Sequence, residues 1–192
     1  MSCETDFVAK NEDFISLAHQ LADLALENNA NSLDDLKALP FDGTTVAEKL
    51  VSEMGKIGEK IDVSNYAYVT GDAVSSYIHA GNKIGVLVKM NQAANDNNIA
   101  AGKDAAMQIA AMNPVAVDEN GVADEIKQRE LTIGREQAIA EGKPEQIIEK
   151  IAEGKLKRFY KDNTLLNQAF VKDSSKSVGQ MLNDVNAGLT IT

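Results

Sequence analysis

Tryptophan is absent, cysteine occurs once, proline three times, and aromatic residues make up only 5% of the 192 positions. The single thiol, Cys3, excludes an internal disulfide framework and fits a reducing compartment. So few aromatics leave the core to Leu, Ile, Val, Ala and Met. No run of about 18 apolar residues occurs, so no segment reads as a membrane-spanning helix. Met1-Ser2 is not followed by the charged and apolar stretches of a secretory leader, and a cytoplasmic location is the expectation. Basic charge is also scarce. Lys and Arg total 19 against 29 Asp and Glu, for a formal charge of −10 and a pI near 4.7. A nucleic-acid or anionic-membrane binder carries a basic footprint, which this balance opposes.

The usual catalytic signatures are missing. There is no Gly-x-x-x-x-Gly-Lys-Ser/Thr phosphate loop, no Gly-x-Gly-x-x-Gly and no Gly-x-Ser-x-Gly. His19 and His79 are the only histidines, and neither belongs to a cluster with metal-ligand spacing. Cys3 has no activating base nearby in the chain. The carboxylates are scattered over polar helix faces. The expectation is a protein that is not an enzyme and holds no metal or cofactor of its own.

What is present is a pattern of helices interrupted once by strands. Phe14, Leu17, Ala18, Leu21, Ala22, Leu24 and Ala25 recur at helical spacing and predict a helix over about 11–29. Ser32 followed by Asp35 predicts a short capped helix ending near Pro40. A helix from Thr44 or Thr45 to about Lys56 would turn Val46, Leu50, Val51 and Met54 inward. Next, Ile61, Val63, Ala67 and Val69 alternate with polar residues, which predicts a strand. Two further strands, over 74–79 and 84–90, would complete a three-stranded antiparallel meander. Helices are predicted over 95–112, 124–141 and 144–162, the last two separated by Gly142-Lys143-Pro144 as a helical hairpin. A final helix over about 177–186 leads to a strand starting at Leu189.

An internal repeat runs through this order. The stretch 51–63 parallels 178–191, and 17–26 parallels 102–111. The expectation is an α+β fold of two related units, residues 1–72 and 73–192, each a small antiparallel sheet layered with helices. The helical hairpin at about 124–162 would be an insertion in the second unit. The repeat also implies a strand ahead of Cys3 and a longer strand after Leu189, as if both ends were cut.

The stretch from Cys3 to Asn11 is chemically the most unusual. It sets an acid, Asp6, beside a large aromatic, Phe7, just ahead of an amphipathic helix. Two readings compete. Asp6 caps the helix while Phe7 staples into the core, or both face a partner. Ile57 and Gly58 read as a core side chain and a helix-terminating glycine. His79, before Ala-Gly-Asn, reads either as a turn residue bonded to backbone or as an imidazole projecting from the sheet rim. His19 lies off the apolar stripe and reads as a surface residue.

Cys3-Glu4-Thr5-Asp6-Phe7-Val8-Ala9 resembles the signature of the elongation factor Ts family. The resemblance continues in order through Lys56-Ile57-Gly58-Glu59, Ser76-Tyr77-Ile78-His79, Lys83 to Val88, Ala106 to Pro114, Glu141 to Pro144, Ile151 to Lys157 and Phe170 to Asp173. It implies guanine-nucleotide exchange on elongation factor Tu, with Asp6, Phe7, Ile57, Gly58 and His79 as partner contacts. It implies that Asp6-Phe7 acts near the partner's Mg²⁺ and nucleotide, without covalent chemistry or a cofactor in this chain. It also implies a small helical module ahead of Met1 in the family. The repeat places Gln92 to Asp96 opposite Cys3 to Phe7, and no aromatic stands there, so only the first unit would carry the wedge. The alternative within the same family is a binding or scaffolding fragment that has lost exchange.

Overall fold

Side-chain caps decide where most of the helices begin. In the computed structural model, which describes residues 1–192, Thr5 caps α1 (Asp6–Ala9) and Asn11 caps α2 (Glu12–Glu27). Ser32 caps α3 (Leu33–Ala38) and Thr45 caps α4 (Val46–Ile57). In each case the side-chain oxygen accepts from a backbone N–H of the first turn, an interaction worth about 1 kcal/mol. Thr45 and Glu48 close a reciprocal capping box. α4 ends at Gly58, whose φ of 77° lets its N–H reach back to the Met54 carbonyl.

The chain divides into units of residues 1–68 and 69–192. In the first, α2 supplies Phe14, Leu17, Leu21 and Ala25 to a core that Leu36, Val46, Leu50, Ile61 and Val63 complete. Val51, expected inward, is 64% exposed. Successive residues on a helix point about 100° apart, and Leu50 takes the inward direction. Between α3 and α4 lies a hairpin that sequence reasoning missed, β1 (Pro40–Phe41) paired with β2 (Thr44–Thr45). Its turn, Asp42-Gly43, has φ of 51° and 80°, the geometry for which Asp-Gly is the common signal.

The strand expected over 61–69 does not form. Only Asp62 pairs, in an isolated antiparallel bridge with Ser2. Ile61 and Val63 turn inward as alternation requires, but Ala67 is exposed. Tyr66 packs against the core instead and donates its hydroxyl to the Ala30 carbonyl at 2.6 Å. A strand needs a neighbouring backbone, and only Ser2 lies alongside. The expected three-stranded meander is therefore a two-stranded sheet, β3 (Ala73–Ile78) against β4 (Gly85–Met90), in register from Ala73↔Met90 to Ile78↔Gly85.

In the second unit, α5 (Asp96–Met112) covers this sheet, burying Ala101, Ala105 and Ala106 against Ala73, Val88 and Met90. α6 (Asp124–Ala140) and α7 (Glu145–Asn163) form the hairpin. After it come β5 (Ala169–Phe170), β6 (Asp173–Ser177) and α8 (Val178–Val185), which opens on a Ser177–Gln180 capping box. Ile191 returns to bridge Met90. The two units thus share a plan: a short hairpin runs into a boxed helix, and the segment after that helix bridges back to the segment before the first long one. The fold is α+β, with eight helices and three two-stranded antiparallel sheets. No helix is long and apolar enough to cross a membrane.

One polar feature ties the second unit together. Gln108 and Gln168 are fully buried, and the Gln108 amide donates to the Gln168 side chain at 3.1 Å and to the Ala169 carbonyl at 3.2 Å. Its oxygen accepts from the Val171 N–H at 2.9 Å. No buried side-chain polar atom lacks a partner, so this network adds register between α5 and β5 without an orphaned group.

The hairpin closes on small residues. A methyl group at Gly134 would stand 2.9 Å from the Cα of Ala152 and 3.2 Å from its Cβ. Arg135 holds Glu149 with two hydrogen bonds, of 2.6 and 3.0 Å. Gly134→Ala sets two effects against each other. Helix propensity gains about 1 kcal/mol, while overpacking against backbone costs about 1–3 kcal/mol. The expected outcome in urea unfolding is net loss of stability or a splayed hairpin. A gain of about 1 kcal/mol would show that the crossing is loose.

Candidate functional site

α1 is a single turn, too short to persist on its own because helix nucleation is unfavourable. Three contacts hold it. The Thr5 hydroxyl oxygen accepts from the Val8 N–H at 3.4 Å. The same hydroxyl donates to one oxygen of Glu59 at 2.6 Å, and the Thr5 N–H donates to the other at 3.0 Å. One residue further, the Lys60 N–H donates to Glu4 at 3.2 Å. The segment before α1 is therefore clasped to the segment after α4, and Glu59 directly follows Gly58. This brings Asp6 and Phe7 to the same end of the first unit as Ile57 and Gly58.

The cap-and-staple reading of Asp6 and Phe7 does not hold. Asp6 does not cap the long helix, since Asn11 does. Phe7 is not stapled into the core, because it is 89% exposed. Its neighbour Val8 packs there, as does Cys3. An exposed Phe forgoes about 1.5–3 kcal/mol of burial. Ile57 is half-buried against the same core, and Gly58 is exposed at the helix end. A groove of about 620 Å³ opens beside α1 between α2 and α4, with Val8, Leu17, Glu53, Lys56 and Ile57 among its walls. The Lys56 ammonium, hydrogen-bonded to Glu53 at 2.7 Å, holds that carboxyl below the usual carboxylate range, with Lys49 adding to the effect.

His79 belongs to the second unit, at the end of β3. Its N–H donates to the Ile84 carbonyl at 2.9 Å and its carbonyl accepts from Asn82 at 3.0 Å, which closes the β3–β4 turn. The ring is exposed, with Nδ1 3.0 Å from the Tyr77 hydroxyl and the two rings 5.9 Å apart. Ile78, Ile84 and Leu87 on the same hairpin are exposed as well. His19 is on the surface. No group of three or more His, Cys, Asp or Glu side chains is arranged to hold a metal ion.

Sequence reasoning missed Glu59 and Thr5 as the clasp and Tyr77 as the orienting neighbour of His79. Thr5 and Glu59 lie 54 positions apart, so no local spacing signals their pairing. Tyr77, two residues before His79 on one strand, shares its face and was readable in principle.

The family model described as elongation factor TS matches residues 4–192. The chain is 49% identical over 191 residues to elongation factor Ts of Amoebophilus asiaticus, covering all of this chain and 69% of that protein. It is 47% identical over 193 residues to elongation factor Ts of Cytophaga hutchinsonii and 45% identical over 192 to that of Flavobacterium psychrophilum, with the same coverage.

Glu59→Ala removes both hydrogen bonds to Thr5. Bonds to a charged acceptor contribute about 1.5–3 kcal/mol when shielded and less at a surface. Amide exchange at Val8 and Ala9 is expected to accelerate at least about fivefold, with Leu21 and Leu50 unchanged. Equal protection in the variant would show that α1 is held by something else.

Proposed function

This chain belongs to the elongation factor Ts family of translation elongation factors, and on that footing we propose that it promotes release of GDP from elongation factor Tu. The observation that carries the proposal is Phe7, an almost fully exposed aromatic beside Asp6 on a turn clasped by Glu59. In this reading the turn presses against the partner's nucleotide-binding domain. Phe7 wedges between side chains near the partner's Mg²⁺, and Asp6 competes with groups that support the ion. Loss of Mg²⁺ leaves the diphosphate charge poorly neutralised, and GDP departs. Ile57 and Gly58 broaden the same contact, and the exposed His79 adds one from the second unit. No covalent step is required, and the site of action is the cytoplasm, where translation runs.

Magnitudes limit what the wedge does alone. A thousandfold weakening of nucleotide needs about 4 kcal/mol of differential binding. Burying one Phe supplies about 1.5–3 kcal/mol. A second contact is therefore part of the reading, and the second unit is its source. The coupling is also reciprocal, so GDP must weaken the binding of this chain as much as the chain weakens GDP.

The test is release of a fluorescent GDP analogue from elongation factor Tu, chased with excess GDP. Phe7→Ala is expected to slow the stimulated rate by about 10- to 150-fold, the equivalent of one buried Phe. Its unfolding free energy should move by less than about 0.5 kcal/mol, as for other surface changes. Asp6→Ala should slow release as well. Normal exchange by both variants would contradict the wedge. Absence of stimulation by the unaltered chain, with binding retained, would make it a docking fragment.

A further inference from the structure

The second unit carries a groove that none of the contacts above uses. It opens to about 540 Å³ between the C-terminal half of α7 and the β6–α8 junction. Lys157, Tyr160 and Lys161 line one wall, and Ser174 and Lys176 the other. Their states differ. Lys176 is committed inside the protein, 2.9 Å from Asp184 and 3.9 Å from Asp173. Lys157 and Lys161 make no ion pair or side-chain hydrogen bond, and neither do the Tyr160 hydroxyl and Ser174. One acid, Glu119, shares the lining.

Two unpaired lysines four residues apart on one helix repel each other. In a chain of formal charge −10, acids are abundant, and nearby Arg158 does pair with one, Asp162. Lys157 and Lys161 do not. Two free ammonium groups, a phenol and a hydroxyl thus converge on one concave surface, all able to donate hydrogen bonds. We infer that this groove docks a carboxylate-bearing loop of the protein partner. The net negative charge of the whole chain disfavours a polyanion such as RNA, whereas one or two carboxylates match the two free lysines. The inference rests on the exchange reading and deepens it, because it supplies affinity that holds Phe7 at the partner.

The test is the concentration dependence of GDP release from elongation factor Tu by the full chain, at low and moderate salt. The double variant Lys157→Gln/Lys161→Gln is expected to need roughly five- to tenfold more chain for half-maximal effect, the range for paired exposed charges. The maximal rate should be unchanged, because Phe7 is intact. The difference should shrink as salt is added. Lys150→Gln removes an exposed charge from the same helix outside the groove, and should shift the midpoint less than about twofold. An unshifted midpoint in the double variant, or an equal shift from Lys150→Gln, overturns the docking groove while leaving exchange intact. No stimulation by the unaltered chain overturns the exchange reading and the groove with it.

Discussion

Two oxygens of one carboxylate hold the end of the first unit that carries Phe7. Glu59 accepts from both the backbone and the hydroxyl of Thr5, and without that clasp a four-residue helix has little reason to stay folded. The consequence is entropic. On the proposed reading, a wedge that is already ordered loses little conformational freedom on meeting the partner, so more of the contact energy is left for displacing nucleotide. The clasp also brings residues far apart in sequence to one end of the unit. It joins the chain ahead of α1 to the chain beyond Gly58, and Gly58 in turn depends on its left-handed conformation to end α4 there.

The second unit is built differently. Its alanine-rich α5 sits close on a two-stranded sheet, and its one polar core feature, the Gln108–Gln168 pair, is fully satisfied. It has no counterpart of Phe7. What it presents is the His79 hairpin with its exposed aliphatic side chains, and a groove with unpaired lysines. The proposed division is that the first unit spends binding energy on weakening nucleotide, while the second supplies the affinity that makes this possible.

Much of this was legible in the sequence where the cause is local. Asn11, Ser32, Thr45 and Ser177 are caps that a reader of the chain finds, and the helices begin where they stand. The α6–α7 hairpin follows from Gly142 and Pro144. The Asp42-Gly43 turn carried a plain hairpin signal and was overlooked. Failures came where the deciding neighbour is distant. Alternation at Ile61 and Val63 predicted a strand, but whether a strand forms depends on which backbone lies beside it. Phe7 was ambiguous for the same reason, since burial is a property of what surrounds a side chain. The Thr5–Glu59 pairing had no local signal at all.

The central claim is that Phe7 carries energy from this chain into the partner's nucleotide site, and linkage gives its most direct test. The dissociation constant of the chain for elongation factor Tu would be measured with and without saturating GDP, for the unaltered protein and for Phe7→Ala. The account predicts a large ratio in the first case, and a ratio smaller by at least about tenfold in the second, the equivalent of one lost Phe contact. A variant that binds more weakly in both states with the ratio unchanged would mean that Phe7 is an ordinary contact, and would contradict the account.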